Sequence, residues 1–218
     1  MPDVAMEISG WYENMYRFDP NIYGFNENFA VNRTTQLFWG RALLAYTLPK
    51  LKHNFSVSLT VGTSIHADRF SAYRLGGILP LGSEFPLTLP GYYFQELSAT
   101  SFGLLSAQYT IPLDSKQKWS ITAMGATSLV DYLAGLEQPN HWNSGIGGGI
   151  TYRSPNNAWQ VLVAYGWGIN AIRSQAGGAH TIGFLLQFDL ERAHRDLFDP
   201  AEYPLRSQGL DRFFRIFQ

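Results

Sequence analysis

Between residues 4 and 190 the chain repeats one pattern eight times: a run of about ten to sixteen residues in which apolar and polar side chains alternate. The cleanest run is His53–Asp68. There Phe55, Val57, Leu59, Val61 and Ile65 share one parity, and Asn54, Ser56, Ser58, Thr60 and Ser64 share the other. Successive side chains of an extended chain point to opposite sides, so a period of two makes a strand with one apolar and one polar face. From Gly103 to Leu113 the apolar parity is Leu105, Ala107, Tyr109, Ile111 and Leu113. In Ala158–Ile172 it is Trp159, Val161, Val163, Tyr165, Trp167 and Ile169, and in His180–Leu190 it is Ile182, Phe184, Leu186, Phe188 and Leu190. Weaker versions occupy Val4–Phe18, Arg33–Leu48, Lys118–Leu133 and Asn143–Arg153. An all-β, antiparallel fold of eight strands is expected.

The length of these runs narrows the choice. Strands of soluble domains are usually about 5 to 6 residues long, whereas a tilted strand that crosses a bilayer needs about 9 to 11. Tyr46, Tyr109, Trp119, Tyr152 and Trp159 fall near the strand ends on the apolar parity, as in the aromatic girdles of membrane barrels. Charged residues make up 15% of the chain against about 25% in soluble domains, and aromatics another 15%. A transmembrane barrel in a bacterial outer membrane, with lipid as its outer partner, is therefore expected. The formal charge of −1 gives no reason to expect nucleic acid, and the absence of cysteine excludes a disulfide framework or a thiolate metal site. No apolar run reaches the roughly 20 residues of a membrane helix. The opening MPDVAMEISGWYENMY lacks the basic and apolar regions of a signal peptide, so an exported form is expected to have its leader upstream.

The connections alternate in length. PKLKH (Pro49–His53), DSKQ (Asp114–Gln117) and SPNN (Ser154–Asn157) are short and polar, while Asp19–Val31, Arg69–Leu97, Gly135–Trp142 and Arg173–Ala179 are longer. Outer-membrane barrels have short periplasmic turns and long external loops, which would put Arg69–Leu97 outside the cell. The chain then divides into barrel strands over 1–190 and a periplasmic tail over 191–218. In that tail Leu210, Phe213, Phe214 and Phe217 fall at helical spacing. Both a short amphipathic helix and a frayed polar tail fit it.

No catalytic site is expected in this chain. Ser64, His66 and Asp68 are of the types used in nucleophilic hydrolysis, but they stand on one strand face about 6.6 Å apart, too far for direct hydrogen bonds in ordinary rotamers. "GTSIH" at Gly62 lacks the second glycine of a nucleophile elbow. His53, His141, His180 and His194 are scattered and make no metal constellation, and no cofactor is expected. "GIGGGI" (Gly145–Ile150) has no Lys-Ser/Thr after it and is no phosphate loop. Its glycines fit a wall that bends or packs against a neighbour.

The segment YRLGGILPLGSEFPLTLPGYYFQEL (Tyr73–Leu97), followed by a strand that closes on YTIPL and by further strands, resembles the C-terminal half of the BamA, TamA and FhaC superfamily of outer-membrane barrels, the bacterial surface antigen family. The resemblance spans about Asn54–Leu190. It implies a sixteen-stranded barrel of which these are the last eight strands, and a sixth external loop that folds into the lumen. The loop motif would be Arg74, Gly76, Gly77, Leu89, Pro90, Gly91 and Tyr92. The terminal stripe Phe184, Leu186, Phe188 and Leu190 resembles the targeting signal read by the barrel assembly machinery. The implied function is insertion, translocation or surface display of protein. One position departs: Pro90 stands where the family usually has an arginine that pairs with an acidic residue of the wall. Barrels attached to patatin-like lipase domains also tend to lack it, so a translocator barrel of that subgroup is an alternative, with any lipase domain outside this chain. A small closed eight-stranded barrel is the other alternative, either hydrolytic through Ser64, His66 and Asp68 or adhesive through Tyr23, Phe25 and Phe29. The wet faces are mostly Ser, Thr, Gly, Gln and Asn, too small to fill a closed eight-stranded interior. A half-barrel is therefore favoured. Its first and last strands would not pair with each other but with the missing N-terminal half or a second chain.

Overall fold

The computed structural model describes residues 4–22, 30–79, 87–155, 157–173 and 176–190. It is all-β: one antiparallel sheet of nine strands with almost no helix. Eight of them are long: β1 (Val4–Tyr16), β2 (Thr34–Thr47), β3 (Asn54–Ile65), β5 (Leu97–Pro112), β6 (Trp119–Tyr132), β7 (Trp142–Arg153), β8 (Trp159–Arg173) and β9 (Ala176–Phe188). The ninth, β4 (Tyr73–Leu75), is a short strand inside the long connection and pairs with β5. Every long strand lies beside its sequence neighbours, in the order β1-β2-β3-β5-β6-β7-β8-β9. Among the described residues β1 pairs only with β2 and β9 only with β8, so the sheet is open.

The alternation places the strands closely; β3 ends at Ile65, where His66 takes a φ of 58°, so His66 and Asp68 lie beyond the strand on which they were expected, and two further differences lie elsewhere. β5 starts at Leu97, six residues before the regular pattern at Gly103, because its first residues pair with β4 and are buried under the loop. The connection expected over Arg173–Ala179 is mostly strand: β8 runs to Arg173 and β9 begins at Ala176, with a register shift between Gly168 and Ile172. Small residues such as Ala171, Gly177 and Gly178 break the apolar rhythm there and hide the strand from a period-two reading. The expected amphipathic tail helix and the candidate contacts Tyr23, Phe25 and Phe29 lie outside the described residues.

The three short turns share one device. Lys52, Gln117 and Asn157 each take a positive φ, between 54° and 57°, in the turn before the next strand begins. Each turn is closed by a backbone hydrogen bond: Leu48 N to His53 O, Leu113 N to Trp119 O, and Ser154 N to Trp159 O, at 2.8 to 2.9 Å. All three lie at one end of the sheet, the turn end, and the long connections lie at the other.

Candidate functional site: a loop docked on the polar face

Register ties the alternation of each strand to its neighbours, so each parity becomes a whole face of the sheet. One row runs Ile111, Ile121, Ile150, Val163, Phe184 across β5 to β9, each residue opposite the next. This bare face carries nearly all the exposed large apolar side chains, from Met6 and Ile8 through Leu59, Leu105 and Ile146 to Ile182. Two aromatic belts border it. At the turn end lie Tyr46, Phe55, Tyr109, Trp119, Tyr152, Trp159 and Phe188. Trp119 and Tyr152 have ring centroids 4.5 Å apart, and Tyr152 and Trp159 5.3 Å. At the loop end lie Tyr12, Phe38, Trp142 and Trp167.

The belts run obliquely. The row that starts at Tyr46 passes through Phe55, Tyr109, Ala123, Gly148 and Tyr165 to Ile182, while the belt itself ends at Phe188, six residues further along β9. Over six strand spacings of about 4.8 Å, at about 3.3 Å per residue, this is a tilt of about 35°. The spacing between belts holds across the sheet: Val4 to Tyr12, Tyr46 to Phe38, and Trp159 to Trp167 are each eight positions. That is about 27 Å along the strand and, at such a tilt, about 22 Å perpendicular to the belts.

The opposite face is mostly small and polar, with Leu37, Phe102, Leu104, Val130 and Tyr132 buried toward its loop end, and residues 66–79 and 87–96 lie against it. Leu75 is fully buried at the end of β4, and Arg74 donates to the Arg69 carbonyl at 2.6 Å and to the Ser98 hydroxyl. Gly76 and Gly77 then turn the chain with φ of 130° and 89°, a region that costs a residue with a Cβ but not glycine. Gly76 N donates to Leu87 O at 2.9 Å, Leu89 N to Gly77 O at 2.9 Å, and Gly77 N to Tyr92 O at 3.1 Å. Gly-Gly and Leu-Pro-Gly-Tyr are thus two arms of one antiparallel bridge, bringing Arg74, Gly76, Gly77, Leu89, Pro90, Gly91 and Tyr92 together.

This hairpin sits on a track of small residues from β7, β8 and β9. Gly91 has φ 83°, and a Cβ there would collide with the backbone of Trp167 and Gly168. A Cβ on Gly145 would strike the Pro90 carbonyl, one on Gly166 would come within 2.9 Å of Ile78 Cδ1, and one on Gly183 within 2.7 Å of Leu79 Cγ. Gly145 and Gly147 of the GIGGGI run, with Gly166 and Gly168 of β8, are therefore the floor on which the loop rests. The Tyr92 side chain is 2% exposed, and its hydroxyl lies 3.2 Å from Oδ1 of both Asn143 and Asn170, donating to one of them. Asn143 Nδ2 donates in turn to the Tyr132 hydroxyl at 2.9 Å. Burial raises the Tyr92 pKa well above the usual tyrosine value, the neighbouring Tyr132 and Glu96 adding to it, so the hydroxyl stays protonated.

Two ion pairs pin the loop at its ends. Glu96 forms a bidentate pair with Arg173 at the end of β8, whose guanidinium stacks 4.2 Å from the centre of the Tyr93 ring. Asp68, 5% exposed, pairs with Arg17 at 2.9 Å and accepts from the backbone N–H of Asn32, Phe70 and Ser71 and from the Ser71 hydroxyl. Burial alone would raise the Asp68 pKa, but the bonds from Ser71, Asn32 and Phe70, with the Arg17 charge, outweigh it and hold the carboxyl below its usual value. The Glu96–Arg173 tie has its acid on the loop and its base on the strand. Local pattern gave no signal of it, because Glu96 and Arg173 are 77 residues apart.

The Ser64, His66, Asp68 row is not a triad. Ser64 Oγ donates to the Thr100 carbonyl at 2.6 Å, the His66 carbonyl accepts from Asn32 and Thr35, and Asp68 faces Arg17. Among the described residues no group of three His, Asp or Glu is placed to hold a metal. Beneath the loop a cavity of about 80 Å³ is lined by Arg41, Ser58, Thr60, Ser106 and Gln108. Another of about 130 Å³ beyond it is lined by Thr110, Thr122, Arg153, Gln160 and Gln187. Phe184, Leu186 and Phe188 stand on the bare face of β9, and Leu190 follows just past its end. No protein-family model matches the chain, and no curated protein matches it.

Proposed function

We propose that this chain is an outer-membrane β-barrel domain of the BamA-like kind, forming one wall of a barrel that inserts, translocates or displays protein. The observation that carries this reading is the bare face: eight long strands offer continuous apolar surface to their surroundings while the loop packs against the opposite face. Contiguous apolar patches of soluble monomers rarely exceed a few hundred Å², and a face spanning eight strands needs lipid to cover it. The belt separation of about 22 Å fits the roughly 25 Å apolar band of such barrels, and the tilt of about 35° falls within their range. The double-glycine hairpin on the polar face supports the superfamily resemblance, and the ion pair of Glu96 on the loop with Arg173 on the strand supports a variant within it. Such a chain reaches its place through the barrel assembly machinery, with Phe184, Leu186, Phe188 and Leu190 as the targeting stripe. The chain itself performs no catalysis in this reading. A patatin-type translocator remains the second reading, favoured by Pro90 in the loop motif.

The test is expression with an added export signal in a Gram-negative bacterium. Heat-modifiable mobility on gels, resistance to carbonate extraction and loss of both after Val163→Arg are the expected results. A chain found soluble in the periplasm, folded and unchanged by Val163→Arg, would sink the membrane reading.

A further inference from the structure

The two edges of this sheet fit each other, and we infer that the partner of each is a second copy of this chain, two copies closing a sixteen-stranded barrel. The inference rests on the membrane reading above. β1 and β9 are each 13 residues long and run in opposite directions, being the first and last of eight antiparallel long strands. The four most exposed large apolar side chains within the strands are theirs, Met6 and Ile8 at 70% and 71%, Ile182 at 80% and Phe184 at 62%, because each is flanked on one side only. An unpaired edge is not tolerated in hydrocarbon, where every backbone N–H and C=O must find a partner.

The oblique belts fix how the seam meets. The turn-end belt falls about one residue per strand and reaches β9 at Phe188, so the next strand must bring its own belt residue opposite Phe188 or Leu190. Side-chain parity excludes the odd positions between. The belt residue of β1 is Val4, opposite Tyr46. Placed there, Val4, Met6, Ile8 and Tyr12 continue the bare face of β9, and Ala5, Glu7, Ser9 and Glu13 continue its polar face. Ile8 then lies opposite Phe184 in one register and Leu186 in the other.

Closure of one chain on itself fails on space. An eight-stranded barrel has an interior just wide enough for side chains, and this face already holds a backbone hairpin with Ile78, Leu79, Leu89, Pro90, Gly91 and Tyr92. Two copies related by a two-fold axis along the barrel double the circumference, form two identical seams and close without a further chain.

Because the chain has no cysteine, substituted thiols report the seam directly. Two differently tagged copies of the 218-residue chain are co-expressed with an export signal, one carrying Ile8→Cys and the other Phe184→Cys or, for the second register, Leu186→Cys. Paired Cα atoms across an antiparallel seam are about 4.5 to 5.5 Å apart, within disulfide reach. The expected result is a species of twice the monomer mass carrying both tags, in the outer-membrane fraction, abolished by reductant and absent when both copies carry Ile8→Cys. An intrachain link at monomer mass in a chain bearing both cysteines would overturn the inference in favour of a closed single chain. Membrane-embedded, heat-modifiable protein that links in neither register would assign the edges to a different chain and also overturn it. Protein missing from the membrane fraction would fail the membrane reading, and this inference with it.

Discussion

Within β8, neighbouring residues meet opposite fates: Val163, Tyr165, Trp167 and Ile169 are about half exposed, while Ala164 and Ala171 are 1% exposed. A water-soluble sheet would bury the large apolar set and leave the small one outside. Here the large residues face outward and the small ones carry a loop, because the small face must admit backbone to within contact distance. Alanine and glycine allow this and larger residues do not. The difference shows that the core of this protein is not between two layers of apolar side chains. It is the interface between one loop, which supplies Tyr73, Leu75, Leu89 and Tyr92, and a strand face that gives Leu97, Phe102, Leu104, Val130 and Tyr132 from β5 and β6 and small residues from β8 and β9.

The strongest way to break this comparison is charge on the bare face. Val163→Arg is expected to cost about 2–4 kcal/mol when folding is measured in lipid, as for Arg near a bilayer midplane. The same change at a half-exposed site of a water-soluble sheet would cost within about 0.5 kcal/mol. Urea titration of refolding into vesicles separates the two. Bulk on the other face comes next: Gly168→Leu places a side chain where Gly91 and Tyr92 lie, with an expected cost of about 1–3 kcal/mol from overpacking. Its specific sign is faster proteolysis within 66–96 while the strands stay protected; a loop as resistant as before would show that the track does not hold it.

Smaller effects sharpen the account of the anchors. Tyr92→Phe removes one buried hydroxyl and its bond to Asn143 or Asn170, worth about 0.5–1.5 kcal/mol. Asp68 gives a pH signature. Its folded pKa is below the unfolded value of about 3.9, so its contribution is complete above that pH and is lost as pH falls through the folded pKa. Loop protection measured from pH 6 down to pH 2.5 should decline at the acid end in the parent, and Asp68→Asn should be weaker at pH 6 and flatter with pH. A parent curve with no acid decline would remove Asp68 as an anchor. The least effect is expected from Ser64→Ala, about 1 kcal/mol or less for its bond to Thr100 O.

The period of two determined most of the architecture by itself. Pleating is local, so Phe55 to Ile65 announce their face without reference to any other strand, and turn residues such as Asn157 mark where the chain reverses. The double glycine and Gly91 also marked a special backbone in advance, since positive φ leaves a trace in residue choice. Tertiary structure alone decided the rest. It decided that Glu96 meets Arg173 and Asp68 meets Arg17, that Ser64 and His66 serve the loop's scaffold, and that β4 takes a place beside β5. It also decided that β8 and β9 continue through a stretch with no alternation. These outcomes depend on residues brought together from as far as 77 positions apart. Side chains at such separations meet only once register and loop path are set, and no local periodicity encodes that meeting.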